Sequence, residues 1–387
     1  MIIMEEPYIS DVLQLTAKNL NIPVLKNDAV KKLGISTSLN YLADAEAISG
    51  IKNNPNIRVY SNSENSINWI SENLSFTSLP SQIEVFKDKA KFRNLISKMY
   101  PNFFFKEIEM SELEHFCLEG IKFPFVIKPT VGFLSLGVYV VNSMEEWGNI
   151  VKGIKADTKK FDGLFPIEVM NSSNFIIEEF IEGKEFAVDV YFDENSKPVI
   201  LNIFEHPFVG LDDVSDRVYI SSKEIILNNI GKFQPILEKI GELTALKNFP
   251  MHIELRVSEN GVVPIEVNPM RFAGWCTTDL GYYAYGINLY EYYFENKKPD
   301  WPEILKDKEG ILYYFAMADI PKSIDNKSIL SFDYASFMRN FSNPLEVRKI
   351  DYKNNPLFAI VFAQTNDYTE VETILKLDIT KYIKGEI

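Results

Sequence analysis

The run HIELRVSENGVVPIEVNPMRFAG, residues 252–274, sets Glu254, Glu266 and Asn268 in two apolar-alternating segments joined by a turn at Asn260 and Gly261. Side chains alternate faces along a strand, so Glu266 and Asn268 point the same way. With a three-residue turn, Glu259 to Gly261, and Gly261 left-handed, Ser258 pairs with Val262 and Glu254 stands opposite Glu266. This register gathers Ile253, Leu255, Val257, Val263, Ile265 and Val267 on one face, and His252, Glu254, Arg256, Glu266 and Asn268 on the other. A one-residue slip would mix charge into the apolar face. Opposed carboxylates repel across a sheet, and a cation between them relieves the repulsion. Two carboxylates and a carboxamide oxygen are hard ligands that suit Mg²⁺, which keeps several waters and completes its shell with phosphate oxygens. The hairpin alone leaves a second reading open, a solvated hairpin with an acidic outer face.

Three further stretches carry chemistry. FPFVIKPTVGFLSLGVYVV ends a continuous apolar run on Lys128 and passes into a loop bearing Gly132 and Gly137. A buried ammonium calls for an anion, and a glycine loop can turn backbone N–H groups toward phosphate. FIIEEFIEGKEFAVDVYF sets Glu178 and Glu179 at the end of one strand and Glu185 at the start of the next, with a turn at Gly183 between them. VFKDKAKFR puts Lys89 at the start of a helix.

In this order, from about Ile83 to Gly281, these pieces resemble the ATP-grasp superfamily, carboxylate-amine ligase type. The resemblance implies an α/β (α+β) protein with the ATP-grasp fold, ATP lying between two α+β subdomains. It implies that Lys89 and Lys128 contact the ATP phosphates and that the Val131 to Gly137 loop, with Gly132 and Gly137, closes over them. Glu178, Glu179, Phe180 and Ile181 would form the hinge that meets adenine, and Glu185 would hold the ribose. Glu254, Glu266 and Asn268 would carry Mg²⁺, with Mn²⁺ as a substitute. Arg271, with Lys128, would be catalytic and stabilise an acyl phosphate and the tetrahedral intermediate. Many relatives read asparagine, one residue, arginine, whereas Met270 adds a residue here.

Around these residues the chain divides into three. Residues 1–80 alternate short strand-like and helical runs, which predicts a small α/β N-terminal domain. It has no GxGxxG. Residues 81–299 form the core, with a lid subdomain at about 121–181. Residues 300–387 read as a C-terminal α+β segment packing on that core. At 387 residues and a net charge of −14, the chain is a poor match for nucleic acid or an anionic membrane, both of which need a basic surface. Cys117 and Cys276 lack metal or disulfide spacing. The start lacks a signal peptide's features, which predicts a cytoplasmic protein.

The function implied is an ATP-dependent ligase that joins a carboxylate to an amine through an acyl phosphate, releasing ADP and phosphate. An ATP-grasp phosphotransferase, a biotin-carboxylase-like carboxylase and a non-catalytic nucleotide-binding protein stay open as alternatives. The partners expected are small-molecule carboxylate and amine substrates, with a homodimer allowed. EHPFVGLDDVSDRVYISS, carrying His206, Asp213, Asp216 and Arg217, and FAGWCTTDLGYY, carrying Trp275 and Thr277, are expected to border the substrate pocket.

Overall fold

The computed structural model describes residues 1–132, 137–161, 171–210 and 215–385. The first unit is a four-stranded parallel sheet in the order Tyr41–Leu42, Val24–Leu25, Ile2–Ile3, Tyr60–Ser61. Its helices start on side-chain caps: Ser10 accepts from Leu13 N ahead of Asp11–Asn19, and Asn27 from Val30 N ahead of Asp28–Lys32. Such caps satisfy amides that the first helical turn leaves without partners.

An eight-stranded sheet forms the centre, in the order Gly261–Pro269, Phe249–Ser258, Lys184–Phe192, Pro198–His206, Val218–Ser222, Leu312–Asp319, Leu357–Thr365, Pro344–Lys349. Every neighbouring pair is antiparallel. Its last three strands belong to the C-terminal segment, which therefore extends the central sheet itself. The helix Lys223–Thr244 packs on the sheet and buries Ile226, Phe233, Leu237 and Ile240. One apolar core runs from Ile2 and Ile3 through Phe86 and Val188 to Phe362, and so packs the N-terminal unit on the sheet.

A separate four-stranded antiparallel sheet, in the order Phe105–Glu109, Asn171–Glu179, Phe125–Val131, Tyr139–Val141, packs on the helix Trp147–Phe161 around its own core of Phe125, Ile127, Trp147, Val151 and Phe175. The Phe105–Glu109 strand thus joins this subdomain from outside residues 121–181. The two sheets meet at the turn after Glu179. There a Cβ on Gly183 (φ +115°) would lie 2.1 Å from the Val257 carbonyl oxygen, so only glycine lets the turn lie against that strand. No helix among the described residues is long and apolar enough to cross a membrane.

Candidate active site

The hairpin register differs from the one expected at its tip. Ser258 pairs with Gly261, so the loop is two residues rather than three, and the count is restored by a bulge where Glu254 and Leu255 face Glu266 and Pro264. Pro264 has no N–H to give the ladder, and its carbonyl accepts from Arg93 Nη1 at 3.0 Å, so the ladder breaks there. The bulge brings Glu254 directly opposite Glu266. It also carries Val263 off the apolar face, opposite Arg256, and sets Val262 and Pro264 opposite Val257 and Leu255.

Partners directly opposite in a sheet share a face, so the pairing defines three rows of side chains. The first runs His206, Glu185, Arg256; the second Phe204, Ala187, Glu254, Glu266; the third Asn202, Asp189, His252, Asn268.

In the first row Glu185 Oε2 accepts from Arg256 Nε at 3.1 Å and Nη2 at 2.9 Å, while His206 Nδ1 lies 3.0 Å from Oε1. Burial pushes the Glu185 carboxyl up, but His206 and Arg256 outweigh it and hold the group below its ordinary value. Arg256 Nη1 also donates to the Ile181 carbonyl at 2.8 Å and its guanidinium sits 5.6 Å from the Phe180 ring, which ties the inter-sheet turn to this row. Glu179 closes the same turn from the other side, accepting from Phe104 N at 3.1 Å.

The second row carries the unusual electrostatics. Burial first, then Glu266, Glu185 and Asp216, push the Glu254 carboxyl well above the ordinary carboxylate range. Lys89 Nζ, on the first residue of the Lys89–Ile96 helix, lies 3.1 Å from Glu266 Oε2. Among the described residues no cluster of three or more His, Cys, Asp or Glu could hold a metal by itself. Two opposed carboxylates with Asn268 beside them fit a hard divalent cation that draws its remaining ligands from water and phosphate, as Mg²⁺ does. The raised Glu254 reflects burial first and the neighbouring Glu266 charge second.

In the third row Asp189, fully buried, receives His252 Nδ1 at 2.7 Å, Ala273 N at 2.8 Å and the Thr278 hydroxyl at 2.6 Å. It clamps the loop that leaves the Gly261–Pro269 strand. Met270, the extra residue, sits left-handed at φ 68° with its carbonyl accepting from Ser61 N at 2.9 Å, and this turn directs Arg271 toward Glu64 of the N-terminal unit. Arg271 Nε is 3.7 Å from Glu64 Oε1, and Lys87 Nζ is 2.5 Å from Glu64 Oε2. Burial pushes the Glu64 carboxyl up; Lys87 and Arg271 overcome that and keep it below its usual value.

Lys128, buried, ion-pairs with Glu178 Oε1 at 2.5 Å, while Arg93 donates to Glu178 Oε2 from Nη2 at 2.8 Å and Nε at 3.1 Å. Both Glu178 oxygens thus face cations, and the carboxylate holds the Lys128 ammonium. Burial raises the Glu178 carboxyl, and the two cations outweigh it to bring the group below normal. The Gly132 carbonyl accepts from Lys87 at 3.2 Å and Lys89 at 3.4 Å. Gly137 takes φ +73° beside Pro129. Residues 133–136 of the expected phosphate loop lie outside the described residues, as does Asp213.

Of the expected substrate residues, His206 is fixed between Glu185 and the Ser215 carbonyl. Trp275 lies in a left-handed turn past Arg271. Arg217 turns away, its Nη1 donating to the Leu375 and Leu377 carbonyls at 3.2 and 2.9 Å, and so docks the C-terminal segment. Sequence reading missed Glu64, Lys87, Arg93, Asp189 and Arg256 as members of the site. Arg93 follows Lys89 by four residues, one helical face, and Asp189 follows Glu185 by four in a strand, again one face; those spacings were the available signals.

A family model described as an ATP-grasp domain matches residues 121–279. No curated protein matches the chain by sequence. Among solved structures it is similar to the L-amino acid ligase from Bacillus licheniformis, with 16% identity, TM-score 0.70, and 100% of this chain and 98% of that one covered. It is also similar to a biotin carboxylase from Campylobacter jejuni (12%, TM-score 0.62, covering 100% and 91%). A third likeness is to a phosphoribosylglycinamide synthetase from Anaerococcus prevotii (16%, TM-score 0.56, covering 100% and 98%). At such identities these likenesses speak to the fold. The chain therefore carries an ATP-grasp domain over residues 121–279 and shares the fold of these structures.

Proposed function

We propose that the protein is an ATP-dependent ligase that joins a small-molecule carboxylate to an amine through an acyl phosphate. The observation that carries this reading is the opposition of Glu254 to Glu266 beside Asn268, with Arg271, just past the strand, close enough to act on the Glu254 charge. In this reading the base of ATP meets the turn at Glu179, Phe180 and Ile181, and Glu185, kept ionised by Arg256 and His206, accepts from the ribose hydroxyls. Lys89 and Lys128 neutralise phosphate oxygens, Glu178 and Arg93 keeping Lys128 in place. Glu254, Glu266 and Asn268 would hold Mg²⁺, which when bound supplies charge neutralisation to phosphoryl transfer. Arg271 presents a guanidinium to the oxyanion that develops when the amine attacks the acyl phosphate. No protein nucleophile is needed, because the substrate carboxylate attacks the γ-phosphate itself.

The L-amino acid ligase and phosphoribosylglycinamide synthetase likenesses support this reading over a phosphotransferase, which would share the nucleotide half of the site. Incubation with ATP, Mg²⁺ and pooled amino acids and small carboxylates, read by phosphate release and mass spectrometry, is the test. The expected result is ADP, phosphate and a product whose mass is that of the two substrates less water. A phosphorylated product, or AMP, refutes it.

A further inference from the structure

The loop leaving the Gly261–Pro269 strand holds two consecutive non-glycine residues, Trp275 and Cys276, in the left-handed region, each at φ 55°. Side chains avoid this conformation, so it persists only where surrounding contacts over-determine it. One set of contacts is the Asp189 clamp on Ala273 and Thr278. The other comes from the opposite end of the chain. Arg348, on the Pro344–Lys349 strand and only 5% exposed, donates from Nη1 to the Cys276 carbonyl at 2.9 Å and from Nη2 to Asp279 Oδ2 at 2.5 Å. Its guanidinium lies 4.4 Å from the Phe362 ring and 5.4 Å from that of Tyr8. The loop in turn backs onto Arg271: a Cβ added at Gly274 would stand 3.5 Å from Arg271 Nη1.

The geometry points to Arg348 as a positioning residue for turnover. It fixes the Trp275–Cys276 turn, so the C-terminal segment sets the wall against which Arg271 and the organic substrates are held, while the nucleotide half of the site is independent of it. This inference rests on the ligase reading. A planar fork is required because one group must reach a carbonyl and a carboxylate while its guanidinium sits over Phe362. A lysine ammonium on a flexible stem cannot do all three.

The test uses the full-length protein with Arg348→Lys, which keeps the charge and loses the fork, and Asp279→Asn, which weakens the same contact from its other end. Calorimetry with ADP and Mg²⁺ should give affinities within about twofold of wild type, since neither residue is in the nucleotide half. Amide exchange at residues 273–279 should rise by about tenfold or more in both variants, with residues 249–258 unchanged. With the amino acid that gives wild type its fastest phosphate release, the apparent KM should rise about tenfold while kcat falls less. Unchanged exchange and KM in Arg348→Lys overturn the inference, and so does a loss of ADP affinity equal to the loss in KM, which marks general damage. Failure of wild type to bind ADP with Mg²⁺ would instead overturn the ligase reading on which the inference rests.

Discussion

Replacing Glu266 by Gln separates the metal role of this residue from any structural one. Opposed side chains on paired strands stand about 5 Å apart; at an effective dielectric of about 20 that is a repulsion of roughly 3 kcal/mol between Glu254 and Glu266. The same substitution loses the attraction of Lys89, whose Nζ is 3.1 Å from Glu266 Oε2, worth roughly 5 kcal/mol in the same dielectric. The balance is a loss of roughly 2 kcal/mol, and in a chain of this size the nucleotide-free protein should melt within a few degrees of wild type. Nucleotide-dependent stability behaves differently. At ADP one hundred times its dissociation constant, with Mg²⁺, wild type should gain about 2.7 kcal/mol. A variant whose metal-supported affinity is about 100-fold lower would stand near its own dissociation constant and gain only about 0.4 kcal/mol. Thermal melts of both proteins, with and without ADP and Mg²⁺, read the difference. A Glu266→Gln variant that keeps the full ligand-induced shift refutes the metal assignment.

Glu254 supplies a pH prediction. Its carboxyl is held above the ordinary carboxylate value in the folded protein, so the native state binds the proton more tightly than the unfolded chain. Stability from this group is therefore lost as pH rises from the unfolded value through the raised folded one. Mg²⁺ must displace that proton, so binding of Mg²⁺ and ADP should release protons and strengthen with pH across that window; titrations in buffers of differing ionisation enthalpy that show no proton release contradict it. Glu178→Gln would leave Lys128 and Arg93 buried without a counter-charge, at a cost of about 3–5 kcal/mol, visible as a lower urea midpoint that added ATP partly restores. An unshifted midpoint rules the triad out as a structural unit. Glu64→Gln should lower turnover about tenfold and ADP affinity less, because Glu64 faces Arg271 directly and reaches the Gly132 loop only through Lys87; an equal loss in both would place Glu64 elsewhere.

What the sequence revealed was local. Alternation around Asn260 and Gly261 was enough to oppose Glu254 and Glu266, because the side-chain period of a strand is fixed, and Lys128 at the end of an apolar run announced a buried cation. The bulge at Pro264 escaped that reading because it depends on Arg93, 171 residues earlier, taking the Pro264 carbonyl. The cluster around Lys128 escaped in part for the same reason, since Glu178, its partner, is also held by Arg93, 85 positions earlier. Arg217 looked like a pocket residue from its polar surroundings, but its destination is set by carbonyls of Leu375 and Leu377, 158 and 160 positions on. The left-handed Met270 explains how an added residue before Arg271 is accommodated, which spacing alone could not.

The claim most exposed to experiment is that a substrate carboxylate attacks ATP to give an acyl phosphate, from which the amine then displaces phosphate. Pooled amino acids and small carboxylates bearing ¹⁸O in the carboxylate, incubated with the protein, ATP and Mg²⁺, should transfer one label to the released phosphate for each amide formed. Amide formation with unlabelled phosphate, or with AMP in place of ADP, would contradict the acyl-phosphate ligase.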